Sequence, residues 1–395
     1  MHNLTKIKLF RIICWMVYPL ALLIIYPFVF FQKRKKSNLF FFFDRYEIGG
    51  AQRIHIDILN ALEEKPKYVY FTRNSKNTAL KEVFYSIPNT WSDDIHVWCD
   101  YLLFRPFTVH YYAFLLNRQS DARVLGANST FFYDLLPFLN KKVKSIELLH
   151  NFTHGKNGME FFGLANHQYL TNRIIYDSYT RSNIKSQYIK YNVPHQFNDR
   201  LLFIEPGVDI PEYTHKKHTL PLKVLYAGRG GEQKRIPLLN AIAEDCIKNK
   251  QEIEFHFAGT MIDELTPMIK DNAVIHGAIS NKDAMNDLYR QSHIILMTSA
   301  YEGFPMLIKE SMSFGCVPVV TALEGNKMHL KNMENALMIE AIDDSEAVIQ
   351  QGLKHLEVLI EDAALYHQLS QSAYEYARKN FSKEKFITEY RALLG

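Results

Sequence analysis

The residues of this chain best suited to chemistry are two cations and two carboxylates at fixed spacing. Arg229 and Lys234 lie five positions apart in YAGRGGEQKR, directly after an apolar run. Gly228, Gly230 and Gly231 let a backbone come close to a ligand, and two fixed cations suit a diphosphate. Taken alone, the stretch reads equally well as a solvated basic turn. The carboxylates fall in TSAYEGFPMLIKESMSFGCVPVVT, residues 298–321. Here a strand leads into a loop with Glu302, Gly303 and Phe304, and Pro305 stands at the expected first helical position. Free N–H groups at the start of that helix form an anion site, which Gly303 leaves open to close approach. Glu302 is an acceptor at the helix mouth. Glu310, about a turn and a half further on, can point back to the same cleft and accept from vicinal hydroxyls such as a ribose offers. Two ordinary surface glutamates are the alternative.

Other chemistries find less support. Asp93 and Asp94 are adjacent and lack a supporting strand pattern, so no metal site is expected. Cys14, Cys99, Cys246 and Cys316 lie far apart without a C-x-x-C pair, which argues against zinc or a disulfide framework and for a reducing compartment. A net charge of +4 over 395 residues, with no long basic stripe among the aromatics, argues against nucleic acid as a partner.

The elements that must position these residues read as an α/β scaffold. A chain of 395 residues with 47% hydrophobic and 22% charged side chains has core enough for two domains. In the first half, apolar runs at 38–44, 68–72, 123–127, 145–150, 173–177 and 201–205 are expected strands. After Gly49-Gly50, the stretch AQRIHIDILNAL has helical spacing of its apolar residues. The proline-bearing segment 205–223 reads as a linker. Beyond it, strands at 223–228, 254–259, 273–278, 294–298 and 317–321 alternate with helical stretches, the pattern of a doubly wound parallel sheet. From Ser345 the pattern is helical to the end, and Gly315 is the expected stop of the helix that carries Glu310. Ligands of such sheets bind beyond the carboxyl ends of the strands, so the loops after Asp44, Gly228 and Thr298 are where a site is expected.

Residues 12–31 carry no formal charge and are long enough to cross a bilayer, and Lys33-Arg34-Lys35-Lys36 follows directly. No small-residue cleavage site separates the two, so a removable signal peptide fits poorly. Both flanks are basic, which leaves orientation open, and Pro19 and Pro27 allow either a kinked spanning helix or a re-entrant hairpin. A buried core helix is the competing reading.

Taken together, Gly228-Arg229 with Lys234, then Glu302-Gly303-Phe304-Pro305 with Glu310 and Gly315-Cys316-Val317-Pro318-Val319, resemble the donor domain of family 4 glycosyltransferases, whose signature is two glutamates with seven residues between. Tyr289, Ser299 and Ser311-Met312 also fall where that pattern expects them. The terminal YARKNFSKEKFITEYRALL is similar to the family's last helices. The resemblance is strong over 223–321, fair over 373–395 and weak in the first half. There, Glu47-Ile48-Gly49-Gly50-Ala51-Gln52 is similar to the family's glycine-rich loop, with a plain strand–helix turn as alternative. His150 is similar in position to a histidine facing the transferred sugar; His154 competes for that role, and a structural histidine is a third option. Arg235 departs from the pattern, where glycine commonly follows the lysine. Glu324-Gly325-Asn326 replaces the usual Gly-Gly run after Thr321.

The resemblance implies a GT-B fold, with two Rossmann-like domains behind an N-terminal hydrophobic anchor. The expected organisation is an anchor with basic flank (1–36), an acceptor-side domain (37–212), a donor domain (213–372) and a terminal segment crossing back (373–395). It implies retaining, metal-independent transfer of a sugar from a nucleotide-diphosphate donor, with no cofactor. Glu302, His150, Arg229 and Lys234 would be catalytic; Gly49, Gly50, Gly228, Gly303, Phe304, Pro305 and Glu310 would help bind the nucleotide sugar. The acceptor is expected to be a lipid-linked saccharide for surface polysaccharide, with the membrane held by residues 12–36 and the catalytic domains in the cytoplasm. A silent nucleotide-sugar-binding subunit and a GT-B epimerase or phosphorylase are the rival expectations.

Overall fold

The computed structural model describes residues 2–47, 50–150, 152–153, 158–279 and 281–395. Chain contacts divide it into two units: Met1–Glu205 with Phe386–Gly395, and Pro206–Lys385. The boundary at Glu205–Pro206 lies at the start of the expected linker, and the chain returns to the first unit within the expected terminal segment.

The first unit is built on seven parallel strands, in the order β3-β2-β1-β4-β5-β6-β7. They are β1 (Leu39–Phe43), β2 (Lys67–Phe71), β3 (Thr90–Asp94), β4 (Arg123–Ala127), β5 (Lys144–Leu148), β6 (Asn172–Ile175) and β7 (Leu201–Phe203). Every side chain of β1, LFFFF, is buried, as a central strand covered on both faces requires. The apolar stripe of the helix Gly50–Ala61 packs on one face through Ile54, Ile58 and Leu59. The terminal helix Lys383–Leu394 adds Phe386, Tyr390 and Leu394 to the same layer. β3, TWSDD, corrects the reading of Asp93-Asp94 as lying outside a strand: it pairs in parallel with β2 at the sheet edge. An edge strand needs no continuous apolar run, so its polar sequence hid it. Asp94 is already engaged, accepting from the Tyr46 hydroxyl at 2.9 Å and from the His96 backbone N–H at 3.1 Å.

The second unit has six parallel strands in the order β10-β9-β8-β11-β12-β13. They are β8 (Leu222–Gly228), β9 (Ile253–Gly259), β10 (Val274–Gly277), β11 (Ile294–Met297), β12 (Val317–Thr321) and β13 (Leu337–Ile339). The chain runs β8, β9, β10 toward one edge and then β11, β12, β13 toward the other. The reversal falls between β8 and β11, and the loops after these two strands therefore diverge to leave a crevice. Those loops begin at Arg229 and Thr298, the stretches that carry the candidate residues.

The N-terminal helix His2–Phe31 is continuous through Pro19 and Pro27. One stripe of it, including Cys14, Ala21 and Val29, is buried in the first unit's core, and the rest is largely exposed. One continuous helix differs from the re-entrant hairpin that the two prolines left open. All four cysteines are free and buried.

Candidate active site

The loop after β8 is stitched to the loop after β11 at several points. Gln233 Nε2 donates to the Tyr301 carbonyl at 2.9 Å, and the Ala300 N–H donates to the Gln233 carbonyl at 2.8 Å. Lys234 and Glu302 form a direct ion pair, with side chains only 14% and 13% exposed. Two residues placed on separate candidate stretches thus meet at the crevice. Arg229 lies exposed at the start of the same loop, and its carbonyl accepts from the Tyr226 hydroxyl at 2.7 Å. Glu264, from the turn after β9, braces the other side by accepting from the Gly231 N–H at 2.8 Å.

Arg235, the departure from the family pattern, has a physical account. Its φ is +50°, in the left-handed region that glycine adopts without strain. A side chain there costs about 1 kcal/mol of backbone strain. The guanidinium offsets this by donating to three carbonyls: Thr298 at 2.5 Å, Ile342 at 2.6 Å and Ser299 at 3.0 Å. The arginine therefore takes a backbone conformation that glycine adopts without strain and uses its side chain to hold the 298–302 loop.

Pro305 caps the helix Met306–Ser313 from outside, with ψ of 137°, so the first helical residue is Met306 and not the proline. Phe304 packs against the His329 ring at 4.4 Å and the Phe381 ring at 5.4 Å, fixing the loop just ahead of the helix. Glu310 accepts from the Tyr289 hydroxyl at 2.7 Å. Burial, and then the neighbouring carboxylate, hold the Tyr289 phenol protonated far above its usual range, so it serves as a permanent donor. Gly315 ends the helix with φ of +73°, as a left-handed stop requires. Gly325, in the segment that departs from the family's Gly-Gly run, backs onto the site loop. A Cβ there would sit 1.5 Å from the Gly303 carbonyl oxygen. The buried Ser299 hydroxyl has no hydrogen-bond partner among the described residues.

His150 belongs to the first unit, two residues past β5. It is 3% exposed, and its Nε2 lies 2.8 Å from Nε2 of His55, its Nδ1 2.9 Å from the Tyr176 hydroxyl. The His55 ring stacks on Phe43 at 4.0 Å. Burial pushes the His150 pKa down to about 4, so both imidazoles are neutral at physiological pH and share one N–H between the facing nitrogens. His55 escaped the sequence reading; its signal was a histidine beside the apolar positions Ile54, Ile58 and Leu59 of an amphipathic helix. Gly50 opens that helix, whereas Gly49 and His154 lie outside the described residues. Among the described residues no cluster of three His, Cys, Asp or Glu could hold a metal ion.

Two parallel-sheet Rossmann-like units, each with its candidate residues at strand carboxyl ends, define the GT-B fold. Solved structures share it. The Anabaena protein HepE in complex with UDP aligns with a TM-score of 0.70 over 91% of this chain and 99% of that one, at 13% identity. A glycosyltransferase from Rickettsia africae gives the same four values. The lipopolysaccharide outer core galactosyltransferase WaaB, in its apo form, gives 0.66 over 90% and 98%, at 16% identity. Residues 221–357 match the family described as Glycosyl transferases group 1. An uncharacterized glycosyltransferase of Haemophilus influenzae is 30% identical over 108 residues, which span 27% of this chain and 29% of that protein.

Proposed function

We propose that the chain is a retaining glycosyltransferase that moves a sugar from a nucleoside-diphosphate donor to an acceptor without a metal ion. The observation that carries this is the Lys234–Glu302 pair at the reversal point of the second sheet, between the β8 loop and the mouth of the helix Met306–Ser313. The family match of residues 221–357 supports the transferase class, and the UDP-bound state of HepE makes a UDP-sugar the donor to test first.

Breaking the sugar–phosphate bond builds negative charge on the departing diphosphate and positive charge on the sugar ring. Arg229, Lys234 and the N-terminus of the helix Met306–Ser313 would take up the first. A bound diphosphate competes with Glu302 for Lys234. As the lysine turns to the phosphate, the Glu302 carboxylate is released to accept from the donor sugar's hydroxyls. Glu310, oriented by Tyr289, accepts from the ribose. His150 is neutral, but His55 and Tyr176 engage both its ring nitrogens, so a sugar hydroxyl would have to displace one of these partners to reach it. The acceptor in this proposal is a lipid-linked saccharide used for surface polysaccharide, with the protein held at the cytoplasmic membrane face through residues 12–36.

The test is acceptor-dependent release of UDP from a panel of UDP-sugars, with membrane lipid extract supplied as acceptor and product anomers assigned by NMR. Release only when acceptor is present, with the donor's anomeric configuration kept, is the expected result. Tight donor binding with no turnover on any acceptor would favour a silent binding subunit instead.

A further inference from the structure

Most large apolar side chains left exposed among the described residues lie in two places, both in the first unit. One is the outer side of the helix His2–Phe31, where Met16, Leu23, Ile24, Phe28 and Phe31 are all more than 60% exposed. The other is the stretch from Val97 to Phe104, where Leu102 and Leu103 are 74% and 76% exposed. The two are joined by a cavity of about 620 Å³, whose walls include Ile24, Phe28, Trp98 and Phe107. A continuous apolar surface of this extent marks an interaction site on a soluble unit.

The helix is tied to the unit at both ends. Near its start, Arg11 donates to Asn166 Oδ1 at 2.6 Å and to the Ala165 carbonyl at 3.2 Å. At its far end Arg118 donates to the Val29 carbonyl, and just beyond it Arg34 donates to Tyr70 and Tyr111 hydroxyls at 2.8 and 2.7 Å. Between these anchors the His110 ring bonds the Cys14 carbonyl at 2.8 Å. A helix of 30 residues spans about 45 Å. To cross a bilayer in this state it would have to carry the polar rim of a Rossmann-like unit into hydrocarbon, with its backbone and charges unsatisfied.

We infer that this helix lies in the plane of the membrane, and that it and the Val97–Phe104 stretch together dock into one leaflet, with a lipid hydrocarbon chain entering the cavity between them. The partner is a phospholipid surface with anionic headgroups. Lys6 and Lys8 at one end of the helix and Lys33, Lys35 and Lys36 at the other are all exposed, so cations flank the apolar face at both ends. They outnumber the carboxylates on this side, Asp100 within the stretch and Asp93 in the cavity wall. The inference rests on the membrane attachment proposed above and is independent of sugar transfer.

Inside-out membrane vesicles from cells expressing the full chain distinguish an in-plane helix from a spanning one. Single K6C and K36C variants are treated with a membrane-impermeant maleimide, the native cysteines all being buried. Both positions are expected to label without detergent; protection of one until detergent is added overturns the in-plane placement. Binding of the purified chain to 3:1 phosphatidylcholine–phosphatidylglycerol vesicles then tests the second element. L102E/L103E should weaken it at least ~10-fold, because two charges enter the apolar layer. I189E, at a 79% exposed position outside this face, should leave it within about twofold. Equal binding by the L102E/L103E variant and wild type overturns the two-element face. In a W15F/W91F variant, Trp98 fluorescence should fall when the lipid chains carry bromine; unchanged emission overturns entry of a chain into the cavity. A stable lipid-free dimer, lost in L102E/L103E, would show that a second copy covers the face and would likewise overturn the inference. UDP binding by the same preparations, followed by calorimetry, separates a failure here from a failure of the transferase proposal.

Discussion

Neutralising Glu302 should strengthen, not weaken, the binding of free UDP. The carboxylate holds Lys234, and a diphosphate must draw the lysine away. The Glu302→Gln change keeps shape and hydrogen-bonding capacity but removes the charge that competes. How much that matters follows from the burial of the pair. Fully exposed ion pairs contribute about 0–1 kcal/mol, and breaking a fully buried one costs about 3–5 kcal/mol. With side chains 14% and 13% exposed, this pair falls between them, and about 1–2 kcal/mol of the competition should be relieved. That corresponds to roughly 5–30-fold tighter UDP binding. Turnover should nevertheless fall at least ~10²-fold, since the negative charge that faces the positive sugar ring in the transition state is lost. Isothermal titration calorimetry with UDP alone, beside steady-state kinetics with UDP-sugar, measures both sides. Lys234→Ala is the necessary companion: it should weaken UDP binding and abolish the gain from E302Q in the double variant. UDP affinity that is unchanged or lower in E302Q, or a gain that persists without Lys234, would refute the exchange of partners.

Glu310→Ala and Tyr289→Phe should both weaken UDP binding, the first more, and in calorimetry neither should reproduce the tightening expected of E302Q; UDP affinity equal to wild type in E310A would remove the ribose assignment. Arg235→Gly relieves about 1 kcal/mol of backbone strain but surrenders three hydrogen bonds, each contributing about 1 kcal/mol net, so the melting temperature should drop; a rise would mean those bonds contribute nothing. Activity should survive excess EDTA, and loss restored by Mg²⁺ or Mn²⁺ would expose a metal step. The His150 pKa, held by burial at about 4 against an ordinary 6.5, implies that the unfolded chain takes up the proton first as pH falls. Stability from this group is therefore complete above about pH 6.5 and declines between there and pH 4, by about 2 kcal/mol at pH 5. Urea unfolding of wild type and H150Q at pH 7 and pH 5 checks this, and parallel losses in the two proteins would contradict it.

The sheets were legible because parallel strands buried on both faces must be apolar almost throughout, as LFFFF is and as RVLGA and VPVVT are but for one end residue. The same rule hid β3 and β13. One is a polar edge strand; the other has three residues, too few to stand out from the chain around it. In the site, the sequence supplied the residue types but not their pairing. Lys234 and Glu302 stood as two independent ligand contacts, because residues 68 apart reveal nothing of their contact by spacing. Their meeting depends on β11 lying beside β8, a consequence of strand order that no local pattern encodes.

Arg235 carries the same argument further. By residue type it departs from a glycine pattern and reads as a weakened loop. By backbone conformation it occupies a place suited to glycine, since its φ is +50°. What a glycine provides at such a position is access to the left-handed region, and another residue can take the same place when side-chain bonds repay the strain. Here the guanidinium reaches carbonyls on both sides of the 298–302 loop's root, at Thr298, Ser299 and Ile342. The loop that presents Glu302 is therefore held at its base by Arg235 and at its tip by Lys234, adjacent residues with opposite demands. The arginine's bonds are to backbone and can persist through a reaction cycle. The lysine's bond is to a carboxylate that a diphosphate can replace, which leaves Glu302 free to change partners without loosening the loop that carries it.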